Sequence, residues 1–395
     1  MDPSGTVNIA LAGLSGYGEF YLNWLLNPSP KDKFRFIAGI DPYAERSSRL
    51  DELKQAGIPI FASLADFYQQ GRADLTILSV PIQQHAPLTC LALAQGSNVL
   101  CEKPLAGALE DANVMLAAEH ASGKFVAIGY QWSFSDAILA LKRDILSGRF
   151  GRPLQFKTLV LWPRHRHYFQ RNQWAGRIKT EDGAWVLDSP VNNATAHYLH
   201  NMLFLLGPTL QSSAQPLSLE AELYRANPIE NYDTAALKIG TESGAKILFI
   251  TAHPVSEEIG PLISLEFENG MVEYPFGENE FQARLHDGTT IRYGSPDTTQ
   301  VNKLWHSVDA VRTGRPLACG IETALPHLAC VAAAQQAPIH PFSDRLIKIR
   351  NESGDPLTWV EGLAETLMEC YQGWQMPSET RANWTAPAIR IRINE

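Results

Sequence analysis

Val7-Asn8-Ile9-Ala10-Leu11-Ala12-Gly13-Leu14-Ser15-Gly16-Tyr17-Gly18 decides the fold. The apolar run, which begins at Thr6, reads as a buried strand, and Phe20, Leu22, Trp24, Leu25 and Leu26 beyond the turn carry a helical pattern. Strand, glycine turn and helix in that order leave free N–H groups at the helix start, where the dipole favours a phosphate. Gly13, Ser15, Gly16, Tyr17 and Gly18 are therefore candidate cofactor-binding positions. A second strand, Phe34 to Ile40, ends at Asp41, close to the separation of ~20 residues expected for a ribose-binding carboxylate. Such a carboxylate accepts from the 2'-hydroxyl of NAD and repels the 2'-phosphate of NADP, so Asp41 argues for NAD. Asp41-Pro42 also suits a plain turn before a helix over Ala44 to Ala56.

Outward from this unit the alternation continues. A helix near Leu64 to Gln69 precedes a strand over Leu75 to Val80, and Pro81 to His85 leads into a helix through Leu88, Leu91 and Leu93. A strand over Asn98 to Cys101, a helix over Leu109 to Ser122 and a strand over Phe125 to Gly129 complete it. Right-handed crossovers turn this alternation into a doubly wound parallel sheet. The strand ends at Gly13, Asp41, Pro81 and Glu102 then share the edge where ligands bind in such sheets, which adds Val80, Pro81, His85 and Glu102 to the cofactor candidates. Pro104 lacks an N–H and biases Lys103 toward an extended conformation, so the strand stops with the Lys103 amine presented at that edge.

The 395 residues suit two domains, and a composition of 45% hydrophobic and 19% charged residues is that of a soluble globular protein. No apolar run reaches membrane length and the N-terminus shows no basic leader, so a cytoplasmic location without membrane contact is expected. The five cysteines are odd in number and never spaced as C-x-x-C, which implies neither a disulfide framework nor a metal site. A formal charge of -9 lacks the basic footprint of a nucleic-acid binder and leaves small molecules as the expected partners.

After Gly129 the rhythm changes. A helix over Ser135 to Ser147 and a strand over Pro153 to Trp162 lead into a stretch, Trp162 to Lys179, that carries Arg164, Arg166, Arg171, Arg177 and Lys179 without an acid. Tyr168, Phe169 and Trp174 are interleaved with them. The stretch fits a solvated loop or subunit contact as well as an arm over a polar or anionic substrate; Tyr168, Arg171, Trp174 and Arg177 are the candidate substrate contacts. Asp188-Ser189-Pro190 is a helix start, with Ser189 as N-cap and Pro190 at the first position. Along a helix running to Leu206, Asn193, His197 and His200 form one polar stripe. Short strands between Leu217 and Tyr293 form an antiparallel meander, two helices near Lys303 to Arg312 and Glu322 to Gln335 close the domain, and a tail follows from Pro338.

Together, Gly13 to Gly18, Asp41, Pro81 with His85, Glu102-Lys103-Pro104, Gly148-Arg149-Phe150-Gly151, and Asp188 ahead of a histidine-bearing helix ending in Leu205-Leu206-Gly207 resemble the Gfo/Idh/MocA (glucose-fructose oxidoreductase, inositol dehydrogenase) family. The resemblance implies a Rossmann domain over residues 1–130 and an α/β domain with a large open, mostly antiparallel sheet over residues 131–340. Residues 341–395 are then an extension of unknown role. It also implies a bound NAD, a homo-oligomer (dimer or tetramer) and hydride transfer from a secondary hydroxyl of a sugar, cyclitol or glycoside. In that reading Lys103 polarises the oxygen, Asp188 binds a substrate hydroxyl and a helix histidine exchanges the proton. Ser15 and Ile82 depart from the family pattern, and so does the helix. Counting from Asp188 puts the family's histidine position at Asn192, whereas counting back from Leu205-Leu206-Gly207 puts it at His197, which is preferred because asparagine cannot titrate. Asn193 and His200 then flank it. Two other readings fit the same residues: an NAD-retaining enzyme that cleaves glycosides with no net redox change, and a non-catalytic nicotinamide-binding sensor.

Overall fold

The apolar runs Val7–Ala12 (β1), Phe34–Ile40 (β2), Ile60–Phe61 (β3), Leu75–Leu78 (β4), Asn98–Cys101 (β5) and Val126–Ile128 (β6) form a parallel sheet in the order β3-β2-β1-β4-β5-β6 in the computed structural model, which describes residues 5–27 and 33–393. Ile9, Leu11, Leu75, Ile77, Val99 and Leu100 have no exposed surface, as expected of parallel strands covered on both faces. The two-residue β3 is too short to show a period in the sequence. Strand order reverses between β1 and β4, which makes their carboxyl ends the topological switch point of the sheet.

The chain divides into two compact units, one running to Phe134 and including Gln300–Leu325, the other comprising Ser135–Thr299 and the chain from Pro326 onward. This differs from breaks at 130/131 and 340/341. The helix Asn302–Thr313, expected in the second domain, belongs to the first unit, where Lys303, Leu304, Ser307 and Val308 form its buried face and Trp305 packs on Trp24 and Phe34.

The second unit is built on strands Pro153–Leu161 (β7), Pro216–Arg225 (β8), Thr234–Thr241 (β9), Lys246–Ala252 (β10), Ile259–Phe267 (β11), Gly270–Tyr274 (β12), Phe281–Leu285 (β13), Thr290–Gly294 (β14) and Ile339–Pro341 (β15), in the order β14-β13-β12-β11-β7-β10-β9-β8-β15. Strand β7 inserts between β10 and β11, parallel to β10, so the expected meander is split in two. The tail is no separate body. Its hairpin, Ile347–Glu352 (β16) with Asp355–Val360 (β17), its helix Leu363–Gly373 and its last strand Ile389–Arg392 (β18, beside β8) all join this unit. Alternation along β7 and β10 turns Leu159, Leu161, Leu248 and Ile250 to one face, and Phe342, Val360, Leu363, Leu367 and Met376 of the tail pack there. Each fully buried leucine of that cover contributes roughly 1.5–3 kcal/mol.

The expected single helix from Pro190 to Leu206 is broken. Ser189 caps a π-turn over Pro190–Ala194 by accepting from the Asn192 amide, Thr195 leaves the helical region (φ -116, ψ 13), and the α-helix proper is Ala196–Leu206. The wide turn takes up extra chain between Asp188 and the helix, which is why the two ways of counting to the histidine disagree.

Candidate active site

In the nucleotide unit the glycine turn is closely constrained. Gly13 has φ +88, and a Cβ there would meet the Ser79 carbonyl oxygen at 2.0 Å, so β1 can pass β4 this closely only with glycine. Gly16, at φ +57, has nothing within 4 Å of its Cβ position and leaves the turn open on that side, ahead of the helix Gly18–Leu25. Asp41, at the end of β2, accepts from the Leu14 amide at 2.9 Å and the Tyr43 amide at 2.8 Å. These bonds fix the carboxylate beside the turn with lone pairs to spare for ribose hydroxyls. A glycine turn with an open face and a fixed carboxylate fits a dinucleotide.

Around Lys103 the structure adds a hub that sequence reasoning missed. Glu102 is 7% exposed; its Oε1 accepts 2.5 Å bonds from the Tyr21 hydroxyl and the Lys303 amine, and its Oε2 accepts from the Lys103 amide at 3.3 Å. A Cβ on Gly129 would come within 2.9 Å of this carboxylate, which accounts for glycine there. Lys303 also donates to the Tyr17 hydroxyl at 2.9 Å, and Tyr17 donates to Gln131. Burial lowers the Lys303 pKa, against the opposing effect of Glu102. Burial first, then Glu102, raises the Tyr17 and Tyr21 phenols. Glu102 thus ties the backbone at Lys103 to Tyr21 and Lys303. His85 braces the next residue: it is 1% exposed, with its two ring nitrogens 2.8 Å from the Pro104 carbonyl and 3.1 Å from that of Val80. Burial lowers its pKa. Pro81 begins the turn to His85, and the Lys103–Pro104 bond is cis.

The one signal for Lys303 in the sequence was its place on the stripe of Leu304, Ser307 and Val308, a lysine on a face that packs. Which carboxylate would meet it was not legible.

In the second unit, Asp188, Asn193, Arg171, Tyr168 and Trp174 come together. Asp188 is 3% exposed; it accepts from the Gly176 amide at 2.6 Å and the Asn193 side-chain amide at 2.8 Å, and lies 3.5 Å from the Arg171 guanidinium. It was expected to hold a substrate hydroxyl; within the chain its carboxylate ties the arm to the π-turn. The arm's helix is short, Arg166–Gln170, and Glu352 anchors its start through His165 at 2.8 Å. Beside it lies a cleft of about 800 Å³ lined by Arg166, Phe169, Gln170, Arg177 and Glu230. Arg177 pairs with Glu181 at 3.3 Å.

The histidines part company. His197 is partly exposed on the Ala196–Leu206 helix, whereas His200 is 1% exposed, stacked on Phe204 and set against His327. Burial, then His327 and Lys142, hold the His200 pKa well below the usual range, which makes it a neutral core residue. Asn192 has no exposed surface and donates to the Val186 carbonyl at 3.3 Å. Among the described residues no three His, Cys, Asp or Glu side chains converge as metal ligands, and no helix is long and apolar enough to cross a membrane.

Residues 7–130 match the model of an oxidoreductase family with an NAD-binding Rossmann fold. The chain spans about half the length of curated relatives such as the inositol 2-dehydrogenase of Rubrobacter xylanophilus, 27% identical over 155 residues, 39% of this chain and 44% of that protein. The inositol 2-dehydrogenase of Burkholderia vietnamiensis is 28% identical over 365 residues, 86% of this chain and 97% of that protein. Among solved structures, the WlbA dehydrogenase of Chromobacterium violaceum, in complex with NADH and UDP-GlcNAcA, superposes with a TM-score of 0.70 at 21% identity, covering 84% of this chain and 93% of that one. At that identity the likeness shows the fold.

Proposed function

We propose that the chain, whose residues 7–130 match the model of an oxidoreductase family with an NAD-binding Rossmann fold, is a Gfo/Idh/MocA-type NAD-dependent dehydrogenase acting on a secondary hydroxyl of a sugar or cyclitol. The observation that carries this reading is the Lys103 corner. A partly exposed lysine stands at the carboxyl edge of β5, held by Glu102 and His85, in the sheet whose first turn fits the dinucleotide. Bound NAD accepts the hydride. The chain's own part is to hold the alcohol and move its proton: as the C–H bond breaks and the carbonyl forms, charge builds on oxygen, and the ammonium of Lys103 stabilises it. The proton goes to a nearby base. His197 suits this role, since Asn192 cannot titrate and is fully buried and His200 is held neutral in the core. Asp188 acts as a positioning residue for Arg171 and Asn193. Asp41, with both oxygens already held by backbone amides, supports NAD over NADP. The inositol 2-dehydrogenases among the relatives make myo-inositol the first substrate to try.

Replacing Lys103 with Met tests the assignment. With NAD and a panel of myo-inositol and hexoses, NADH absorbance should show kcat reduced about 100- to 1,000-fold, the scale of losing a preorganised charge stabiliser. NAD binding, followed by calorimetry, should stay close to wild type. Near-normal turnover in the variant would sink the role of Lys103.

A further inference from the structure

Four stacking contacts order the arm into a ladder in which ring and guanidinium alternate. The Arg164 guanidinium carbon lies 5.4 Å from the Trp162 ring centre and 5.1 Å from that of Tyr168, and Arg171 lies 3.9 Å from Tyr168 and 5.3 Å from Trp174. Stacking holds a guanidinium by its faces and leaves its in-plane N–H fork available for an anion. The two cations are not equally matched. Asp188 meets Arg171. Among the described residues, the oxygens that hydrogen-bond Arg164 are both neutral, the Pro163 carbonyl at 3.1 Å and the Tyr168 phenol, and its Nε is buried with no acceptor. A desolvated N–H on an unmatched cation is unfavourable until an acceptor arrives.

His253 senses the same surplus of positive charge. It packs edge-on to Tyr168 and Phe169 with Nδ1 3.0 Å from the Trp162 carbonyl, and burial, then Arg164 and Arg171, push its pKa down to about 3. The top of the ladder also adjoins the helix of the proposed base, since Trp162 meets Tyr198 edge to face at 5.7 Å, one residue from His197.

We propose that the Arg164 end of the ladder is the subsite for an anionic group, a carboxylate or a phosphate, carried by a polyhydroxylated substrate. An oxygen pair at the Nε edge of the guanidinium satisfies the orphaned donor and supplies the missing charge in one bidentate contact. The identity of the substrate as a sugar or cyclitol rests on the dehydrogenase reading; the presence of the anion subsite does not.

The test is binding to the full chain, read by the fluorescence of tryptophans, two of which flank the ladder. D-glucose, D-glucuronate and D-glucose 6-phosphate differ only at one carbon and separate neutral, carboxylate and phosphate arms. An acidic sugar should bind about 10- to 100-fold more tightly than glucose, the worth of a charged hydrogen-bonded contact. Arg164→Gln should bring that preference within about 3-fold of unity, and Arg164→Lys, which keeps the charge and loses the fork, should retain part of it. Thermal melts of both variants confirm that they are folded. No preference for either acidic sugar, or an unchanged preference in both variants, overturns the proposal. Charge preference without NADH formation supports the subsite and refutes the dehydrogenase reading.

Discussion

Each unit seats a cation against tyrosine rings, and the two treat its charge in opposite ways. In the nucleotide unit the Lys303 amine lies 4.5 Å from the Tyr17 ring centre, is fully buried, and meets Glu102 at 2.5 Å. In the second unit Arg164 lies between Trp162 and Tyr168, and among the described residues its hydrogen-bonding oxygens are a carbonyl and a phenol, not a carboxylate. A buried charge with its counter-charge is complete and serves the architecture, here by holding the Lys103 corner. A cation left without one is poised for something outside the chain. Asp233 is a third case, a fully buried carboxylate satisfied by N–H groups of Ala226 and Asn227 rather than by a cation.

These differences have separable consequences. The largest is expected at Lys303→Met, which strands the Glu102 carboxylate in a dry site and should cost about 3–5 kcal/mol in urea unfolding. Adding Glu102→Gln should recover much of it. A single-variant loss under about 1 kcal/mol would mean the pair does not organise the unit.

An intermediate effect belongs to Asp233, whose carboxyl burial pushes up to about 6 against the opposing bonds from Asn227 and Ala226. A carboxyl that binds its proton more tightly when folded weakens the fold at neutral pH and regains stability as pH falls from about 6 toward the unfolded value near 4. Relative to Asp233→Asn, the wild type should therefore gain roughly 2–3 kcal/mol over that window. Parallel stability curves for the two proteins would show that this carboxylate does not titrate there. The smallest effect is expected at Arg164→Gln without ligand. Removing an unmatched cation should change unfolding free energy by less than about 1 kcal/mol, in contrast to Lys303→Met. A cost comparable to that of Lys303→Met would place Arg164 among the architectural charges and erase the contrast.

Much of the nucleotide unit was legible because each of its signals is local. Gly13 to Gly18 show strand, turn and helix within one stretch, Asp41 closes the next strand, and Pro104 ends β5 beside Lys103. The arm was legible as an anomaly of charge, but its order was not, since a stack such as Trp162, Arg164, Tyr168, Arg171 and Trp174 depends on how the loop doubles back. The surroundings of His200 were not legible for the same reason. The spacing of His200 from His197 puts both on neighbouring turns, but that His200 would meet Phe204 and His327 depends on how other elements pack against the helix.

By itself, then, the sequence determined the order of strands and helices around the glycine turn, the edge at which Lys103 stands, and the residue types that chemistry requires there, because period, turn residues and proline act within a few positions of one another. Only the tertiary structure decided which charges are paired. It brought Lys303 to Glu102 across 201 positions, wrapped the tail over the β7–β10 face, inserted a π-turn ahead of His197, and gave Arg164 neutral oxygens as its hydrogen-bond partners among the described residues. Pairing across such separations depends on where the whole fold places each side chain, and no short stretch of sequence carries that information.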